Sequence, residues 1–556
     1  MSCGWSARST GRCCKGFPTA SGRRTSATAS STFSTRWRRP CPASRTWPSA
    51  TAERDGLPEG ERGFTVRIGI VGAGASAVCV IDALAQSGTC GGELTVFDPS
   101  PQLWRGRAYQ RDTAVVLVNS PAEDMSVRQG DDGHYERWLK ERGISAPFAS
   151  RAEYGAYLEE TAHRGIAALR GRGWLVSVVP EAVEGALRGA GHLALHTAGG
   201  TAHAPFDHVV LAVGGGRPRD HYGLAGRPHF IGEPYPLAAT LPAVGPDEEV
   251  AVIGTGLTAV DVVLGLAARG HRGPVALLSR QGVLPAVRQR TICHQLRHFV
   301  PERLHAMAGR GRHLALRDVI ALLRTELTEA GADPDLVWEE ISRTGREAPA
   351  DRLRRQLGDV DCAHIGLRVL QLAVHICGPD LWPLLSEQVR QDILVRHHRT
   401  LMSLCCPMPP SSARTLLDLF DSGRLRVLGD VRAVTPLPEG GFAVTADGTR
   451  LTARHVINGV SAPAHRIPLP ARRLVNALYA GRLAMPHPDG GLCVDTATSR
   501  LVGSGPANPG IYAIGDIAGG TFFFTFGIPS LVDRCHDIVT DILANQRLRD
   551  REESHA

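Results

Sequence analysis

Val66-Arg-Ile-Gly-Ile-Val71 leads directly into Gly72-Ala-Gly74-Ala-Ser-Ala77, and this stretch decides the fold of the chain. An apolar run, Val78-Cys-Val-Ile-Asp-Ala-Leu84, follows the glycines, and a further segment, Leu94-Thr-Val-Phe-Asp98, ends in an acid. Short apolar runs bounded by glycine predict buried strands, and the longer run between them predicts a helix. The order strand, glycine-rich turn, helix, strand and acid is typical of a unit that binds a dinucleotide.

Each small residue of this turn has a separate role. Gly72 permits the tight turn, Gly74 lets the backbone approach a diphosphate, and Ala77 allows close packing of helix on strand. The N-terminus of the helix presents N–H groups and the positive end of its dipole to the phosphates. Asp98 stands 21 residues after Ala77, where an acid binds a ribose hydroxyl. An ordinary glycine-rich turn between strand and helix is the alternative.

A second copy of the pattern begins at Glu249-Val-Ala-Val-Ile253 and continues as Gly254-Thr-Gly256-Leu-Thr258-Ala259. Its second strand, Pro274-Val-Ala-Leu-Leu278, ends in Ser279-Arg280 where the first copy has an acid. A hydroxyl followed by a guanidinium suits a 2′-phosphate, which predicts NADPH rather than NADH. Alternatively, Arg280 only caps the strand at the surface. The residues that we expect to contact NADPH are Gly254, Gly256, Thr258, Ala259, Ser279 and Arg280.

Two more strand ends complete the first unit. Asp207-His-Val-Val-Leu-Ala-Val-Gly214 predicts a buried strand that runs into a glycine turn. Gly510-Ile-Tyr-Ala-Ile-Gly515-Asp516 precedes a predicted helix from about Pro529 to Leu543. These segments resemble the paired strand-end motifs of flavoproteins with two dinucleotide-binding domains. The resemblance implies that Asp516 binds the ribityl chain of FAD and that the dipole of the helix stabilises reduced, anionic flavin.

The segments after Asp98 carry a narrower resemblance. They read Gly106-Arg-Ala-Tyr109, Val118-Asn119-Ser-Pro-Ala-Glu-Asp-Met125-Ser126 and Arg151-Ala-Glu-Tyr154-Gly155-Ala-Tyr157-Leu. The series is similar to the bacterial FAD/NAD(P)-binding family typified by nitrosuccinate-forming L-aspartate N-monooxygenases, and the likeness covers residues 64 to about 545. The residues that we assign to FAD are Gly72, Gly74, Ala77, Asp98, Asn119, Met125, Ser126, Val183, Gly214, Gly515 and Asp516.

The resemblance implies an FAD-dependent, NADPH-using monooxygenase that consumes molecular oxygen and hydroxylates the nitrogen of a small amino acid such as L-aspartate. A dicarboxylic substrate requires cations, preferably bidentate arginine. Our candidates are Arg288 and Arg290, with Arg128 behind them. His294 or His298 is the candidate for moving protons. Alternatives on the same scaffold are oxidation or C-hydroxylation of another small molecule, and a non-catalytic protein that only retains flavin.

Composition narrows the class of protein further. The 556 residues carry a net charge of +7, but residues 1–52 hold nine Lys and Arg and no acid, so the remainder sums to −2. A nearly neutral remainder argues against a nucleic-acid groove, and no apolar run is long enough to span a membrane. The 13 cysteines form no CxxC pair, which argues against a disulfide reductase and against a metal site. Their odd number and scattered positions favour free thiols in a reducing compartment, the cytoplasm. Assembly into a homo-oligomer stays open.

These patterns predict an α/β fold with two Rossmann-like dinucleotide-binding domains and a mainly helical insertion. Residues 64–248 form the first part of the FAD-binding domain, 249–282 the NAD(P)H-binding unit, 283–419 the insertion, and 420–545 the return to the FAD-binding domain. Residues 1–60 form a disordered basic tail or follow from a mis-called start, with a transit peptide as the third alternative.

Two features leave a structural and a functional interpretation open. The insertion is either a lid over the cleft between the nucleotide sites or a purely structural cap. The aromatic run Phe522–Phe526 either lines the flavin or fills the core.

Overall fold

The computed structural model describes residues 66–189, 192–309, 313–460, 466–505, 510–525 and 527–555. The predicted tail at 1–60 and Phe526 therefore lie outside the described residues. The strands, in chain order, are β1 (Arg67–Val71), β2 (Gly92–Phe97), β3 (Trp174–Val179), β4 (Val183–Arg188), β5 (Leu193–Thr197), β6 (Ala202–Phe206), β7 (His208–Leu211), β8 (Phe230–Ile231), β9 (Val250–Ile253), β10 (Val275–Leu278), β11 (Leu425–Leu428), β12 (Val431–Pro436), β13 (Phe442–Ala446), β14 (Thr449–Ala453), β15 (His455–Asn458) and β16 (Ile511–Ala513).

The helices, in the same order, are α1 (Ala75–Gln86), α2 (His134–Glu141), α3 (Arg151–Arg170), α4 (Leu237–Thr240), α5 (Leu257–Ala268), α6 (Pro301–Ala308), α7 (Leu316–Glu329), α8 (Pro334–Arg343), α9 (Pro349–Gly358), α10 (Gly366–Leu384), α11 (Glu387–Asp392), α12 (His398–Cys405), α13 (Pro410–Asp421), α14 (Arg472–Ala480), α15 (Gly519–Phe522) and α16 (Ile528–His555). Among these described helices, none combines the length and the apolar character that crossing a membrane requires.

The first unit is a parallel sheet in the order β16-β7-β1-β2-β3. Side chains alternate across its strands, as the two-residue period of a strand dictates. Ile68 and Ile70 of β1 pack on α1, α3 and α16. Val71 faces the opposite side and packs with the small antiparallel sheet β4-β5-β6 and with α14. The first unit is thus a three-layer structure with its core on both faces of the sheet.

The second unit repeats this plan with a parallel sheet in the order β11-β10-β9-β15-β8. Val250 and Val252 pack on α5 and α13, whereas Ala251 and Ile253 pack on the antiparallel sheet β12-β13-β14. The two strand orders correspond position by position, with β9 in the place of β1 and β8 in the place of β16.

The strand pairing corrects one predicted boundary. We expected residues 420–545 to return to the first unit, but β11 pairs with β10 and β15 pairs with β9. The physical reason is that β9 and β10 alone would leave both sheet edges unpaired, and these later strands supply the missing neighbours. The chain therefore returns to the first unit only after β15.

The predicted helical insertion fills the connection between β10 and β11 with α6 to α13. Its core includes Phe523 and Phe524 from the first unit. The ring of Phe523 stacks on Trp382 of α10 with centroids 4.4 Å apart, and the indole N–H of Trp382 donates to the carbonyl oxygen of Gly520 (3.1 Å). Within the part of the aromatic run that is described, this packing favours core filling over a flavin wall.

Candidate functional site

The first glycine-rich turn has the backbone shape that a diphosphate requires. Gly72 has a φ of +104°, and a Cβ atom there would lie 2.2 Å from the carbonyl oxygen of Ala212. Gly74 precedes α1, whose first turn carries neither an acid nor a capping side chain. Ala77 is completely buried between the helix and the sheet. The N–H groups at the start of α1 can therefore face an anion without competition from a carboxylate.

Asp98 has its predicted place after the end of β2. Its Oδ2 accepts a hydrogen bond from the N–H of Ala73 (2.6 Å), and its Oδ1 accepts one from the N–H of Ser100 (2.8 Å). These bonds hold the half-buried carboxylate beside the turn. This is the edge of a parallel sheet at which an acid receives a ribose hydroxyl.

The ends of β7 and β16 bring Asp516 to the same edge of the first sheet. Gly214 and Gly515 follow these strands, and a Cβ atom on Gly215 would lie 2.6 Å from Oδ2 of Asp516. Burial raises the pKa of the Asp516 carboxyl above its usual range. Across the described ranges no side chain forms an ion pair with it, so a ligand hydroxyl can bind there.

Three further FAD candidates belong to other segments of the first unit. The carbonyl oxygen of Met125 accepts a hydrogen bond from the hydroxyl of Tyr154 (2.9 Å). The hydroxyl of Ser126 donates to the carbonyl oxygen of Asp131 (2.7 Å), so this hydroxyl stabilises the loop that contains it. Val183 begins β4, four residues after β3 ends, and its side chain is buried in the core. For Val183, the backbone is the part that can face a ligand.

The second glycine-rich turn has the same backbone shape and different side chains. Gly254 has a φ of +111°, and a Cβ atom there would lie 2.8 Å from the carbonyl oxygen of Gly459. The hydroxyl of Ser279 accepts hydrogen bonds from the N–H groups of Gln281 (3.2 Å) and Gly282 (2.8 Å), which leaves its proton to donate outward. Arg280 is exposed beside it, and the described residues offer it no acid within ion-pair distance.

A buried ion pair that the sequence did not predict joins the two units. Arg151 of α3 lies 2.9 Å from Oδ2 of Asp261 of α5, and the hydroxyl of Tyr235 donates to the same carboxylate. Thr258, in the first turn of α5, acts to lower the pKa of the Tyr235 hydroxyl, although burial raises that pKa overall. Burial raises the pKa of Asp261 although the positive charge of Arg151 opposes this. The only sequence signal was an acid in an otherwise apolar helix.

The two candidate carboxylate binders have different environments. The side chain of Arg288 is buried, with 9% of the residue exposed, and its Nε donates to the carbonyl oxygen of Asn119 (2.6 Å). Arg290 lies at the surface with 74% of its side chain exposed, and its Nε forms an ion pair with Asp361 (2.6 Å). The prediction for Arg290 is therefore corrected, because this guanidinium already has an acid and faces water. Arg288 remains the candidate.

The other polar residues that we proposed for substrate binding or proton transfer form contacts within the protein. Arg128 forms an ion pair with the buried Asp82 (2.8 Å). Nε2 of His294 hydrogen-bonds to Glu326 (2.9 Å), a carboxylate that also accepts three backbone N–H groups and whose pKa is lowered to about 2. His298 is half-buried, and its Nδ1 hydrogen-bonds to Arg303 (2.7 Å). Among the described residues, no contact joins any of these three side chains to Arg288.

Comparison with known proteins agrees with this geometry. Residues 69–216 match the profile of a protein family described as FAD-NAD(P)-binding. No curated protein matches the chain in sequence. Among solved structures, the ornithine N-hydroxylase of Kutzneria sp. 744, with reduced FAD, NADP⁺ and L-ornithine, is 15% identical, and the likeness covers 87% of this chain and all of that one with a TM-score of 0.53.

Two further structures show the same architecture. The ornithine hydroxylase of Pseudomonas aeruginosa is 15% identical over 86% of this chain and 98% of its own, with a TM-score of 0.52. The L-lysine 6-monooxygenase of Pseudomonas syringae is 14% identical over 86% and 99%, with a TM-score of 0.54. The predicted α/β fold with two Rossmann-like units is confirmed, as is the FAD/NAD(P)-binding class of residues 69–216. The chain thus shares its fold with these three enzymes.

Proposed function

We propose that the chain is an FAD-dependent, NADPH-using monooxygenase that hydroxylates the nitrogen of a small amino acid such as L-aspartate. FAD, once bound and reduced by NADPH, supplies the activation of molecular oxygen. The observation that carries the proposal is the buried guanidinium of Arg288. The chain's own residues hold FAD at the first turn, NADPH at the second, and the substrate carboxylate between the first unit and the insertion.

Arg288 is suited to bind a carboxylate because it is buried and forms no ion pair with the described residues. The described residues place no carboxylate within ion-pair distance of its guanidinium, and burial lowers the pKa of Arg288 although the charges of Asp124 and Glu123 oppose this. A buried charge without a partner is unfavourable, and an anionic ligand relieves that cost. The hydrogen bond to Asn119 uses Nε, so the two Nη groups can bind a carboxylate in the bidentate manner.

The position of Arg288 connects it to the flavin side of the molecule. Its bond to the carbonyl oxygen of Asn119 attaches it to the loop that we assign to FAD. Phe524, from the segment that follows Asp516, lies against His375 of α10 with ring centroids 6.5 Å apart. The Arg288 charge lowers the pKa of His375, although burial is the larger cause. The candidate substrate site therefore lies where these elements meet.

His375 replaces His294 and His298 as the candidate for moving a proton. Its Nδ1 lies 2.6 Å from the carbonyl oxygen of Gln371. Because a carbonyl oxygen only accepts, Nδ1 carries the proton and Nε2 keeps a lone pair. The lowered pKa keeps this ring neutral at pH 7. A neutral imidazole can accept the proton of a substrate ammonium group, and an amine must be unprotonated to be oxidised at nitrogen.

The experiment that tests the function is NADPH oxidation by purified, FAD-loaded protein across a panel of amino acids that includes L-aspartate, L-ornithine and L-lysine. Oxygen uptake, hydrogen peroxide and product mass are followed together. We expect one amino acid to accelerate NADPH oxidation and to gain one oxygen atom with little peroxide. Slow oxidation that no amino acid accelerates, ending in peroxide, would contradict the proposal.

Arg288→Ala and Arg290→Ala form a matched pair for the same assay. Loss of a charged hydrogen-bond pair costs about 2–5 kcal/mol, so we expect Arg288→Ala to lower kcat/KM for the amino acid by about 30-fold or more. Arg290→Ala should leave kcat/KM unchanged because this side chain is exposed and paired with Asp361. Equal effects of the two variants would remove Arg288 from the substrate site.

A further inference from the structure

A residue of the helical insertion extends across the second glycine-rich turn. Arg399, the second residue of α12, donates through Nη2 to the hydroxyl of Thr255 (2.8 Å) and to the carbonyl oxygen of Val283. Its Nη1 lies 3.7 Å from the position that a Cβ atom on Gly256 would take. The guanidinium is thus held beside the turn, next to Gly256 at the start of α5.

The surroundings of Arg399 are positive and uncompensated. Within the described ranges no carboxylate forms an ion pair with Arg399, and burial lowers its pKa to about 10. Its neighbour His398 has a lowered pKa, first through burial and then through the charges of Arg399 and Arg280. Two arginines therefore share one region in which the described residues form no ion pair with either, and the imidazole between them is held neutral. Such an arrangement is favourable when an anion is present.

The helical region before Arg399 is irregular, and Arg399 itself lies beside the second glycine-rich turn. A π-helical segment, Ile393–His397, lies directly before α12 and changes the direction in which the following side chains project. Arg396, three residues earlier, is 74% exposed and forms an ion pair with Asp392 (2.8 Å). Two arginines of one helical region thus have opposite surroundings: one is paired at the surface, and the other is half-buried beside a nucleotide-binding turn.

We propose that Arg399 binds the diphosphate of the nicotinamide dinucleotide, so that the insertion supplies the second wall of this site. The proposal rests on the proposed use of a nicotinamide dinucleotide, but it does not depend on the substrate or on catalysis. It divides the recognition of NADPH between two arginines. Arg399 contacts the part that NADPH and NADH share, and Arg280 contacts the 2′-phosphate that distinguishes them.

The test is a titration of FAD-loaded protein with NADP⁺, NAD⁺ and 2′-AMP, followed by calorimetry. Charge-assisted hydrogen bonds justify an expected loss of about 10- to 100-fold in affinity. Arg399→Gln should weaken NADP⁺ and NAD⁺ by the same factor and leave 2′-AMP, which has no diphosphate, unchanged. Arg280→Ala should weaken NADP⁺ and 2′-AMP and leave NAD⁺ unchanged. Arg396→Gln is the matched control on the same helical region and should change none of the three.

Flavin content and the thermal midpoint show whether each variant is folded. Arg399→Lys keeps the charge, so it provides a second variant that retains the interaction with Val283 in part, and its smaller loss should again be equal for NADP⁺ and NAD⁺. Unchanged affinities in both Arg399 variants, or a loss confined to NADP⁺, would overturn the proposal, as would a wild-type protein that binds no dinucleotide. A wild-type protein that binds NADP⁺ through Arg399 but oxygenates no amino acid would contradict the proposed function and leave this inference standing.

Discussion

The two glycine-rich turns have nearly the same backbone and opposite electrostatic surroundings. Gly72 and Gly254 adopt φ values of +104° and +111°, and each turn leads into a helix of 12 residues, α1 or α5. At the first turn, the carboxylate of Asp98 accepts the N–H of Ala73. At the second turn, Thr255 occupies the position of Ala73, and its hydroxyl accepts a hydrogen bond from Arg399.

This difference shows that the backbone and the side chains of the turns have separate roles in ligand binding. The glycines make a cradle for any diphosphate, because their role is to bring the backbone close to the ligand. Under the proposed function, the side chains after β2 and β10 decide which ribose each turn accepts. The insertion reaches the second turn through Arg399, whereas the loop containing Gly106 approaches Gly74 at the first turn. Substitutions at the two turns should therefore have different effects on ligand binding.

The largest expected effect comes from a methyl group at either turn. In Gly72→Ala the new Cβ atom would lie 2.2 Å from the Ala212 carbonyl oxygen, so we expect the free energy of unfolding to fall by roughly 3 kcal/mol or more and FAD to be lost. Gly254→Ala, at 2.8 Å from the Gly459 carbonyl oxygen, should keep FAD and lose NADP⁺ binding. Urea unfolding, flavin absorbance and NADP⁺ titration measure these effects.

Gly88→Ala is the control for both substitutions. This glycine also has a positive φ (+73°), but nothing lies within 4 Å of its ideal Cβ position. We expect only the backbone strain of about 1–2 kcal/mol, with both ligands bound. If Gly88→Ala were as damaging as Gly72→Ala, the close approach to Ala212 would not explain the need for glycine.

The second expected effect concerns a buried acid on each helix. Asp82 of α1 pairs with Arg128 inside the first unit, whereas Asp261 of α5 pairs with Arg151 of the other unit. Arg151 is 17% exposed and Arg128 is 27% exposed, so Arg151 has less access to water when its partner is removed. We expect Asp261→Ala to lower the free energy of unfolding by about 3–5 kcal/mol and Asp82→Ala to lower it by less.

Urea midpoints of the two variants check this order. Double variants sharpen the comparison, because Asp261→Ala combined with Arg151→Met removes the unpaired charge and should recover part of the loss. A loss for Asp82→Ala that exceeds the loss for Asp261→Ala would show that the pair between the units is not the more important one.

The local parts of both turns were predictable from sequence, and the distant parts were not. Strand, glycines and helix are neighbours in the chain, so Val66–Leu84 shows them directly. The pairing of β11 with β10 closes a loop that contains the whole insertion, and no local pattern records such a contact. Arg399 is separated from Gly256 by 143 residues, so its place at the second turn was equally hidden.

Arg288 and Arg290 are only two residues apart, and they show the same limit of prediction from sequence. A spacing of two suggests one face of an extended chain. In the structure, however, the N–H of Arg288 donates to the Met408 carbonyl oxygen and the N–H of Arg290 donates to the Val360 carbonyl oxygen. The backbone changes partners between them, so one side chain turns inward to Asn119 and the other turns outward to Asp361. The sequence identified the residue type but not the side to which each residue points.

The smallest expected effect concerns the acid that follows the corresponding edge strand in each sheet. Gly515-Asp516 follows β16, and Gly232-Glu233 follows β8, but Glu233 forms an ion pair with Arg107 (2.6 Å), whereas Asp516 has no ion pair among the described residues. Burial raises the pKa of Asp516. A raised carboxyl pKa means that stability is present below the ordinary pKa of about 3.9 and is lost as pH rises through the folded-state pKa.

Asp516→Asn should therefore have opposite effects on the apoprotein and on flavin binding. Because the amide does not ionise, the variant apoprotein should be slightly more stable than the wild type at pH 7, and the difference should vanish in acid. Flavin should bind about tenfold more weakly, because a charged hydrogen-bond acceptor is lost. Glu233→Gln should change flavin affinity by less than Asp516→Asn, since Glu233 follows the second sheet and reaches the first turn only through Arg107, the neighbour of Gly106. Thermal midpoints between pH 3 and 8 and flavin titration measure both effects, and a variant that binds FAD like the wild type would remove Asp516 from the site.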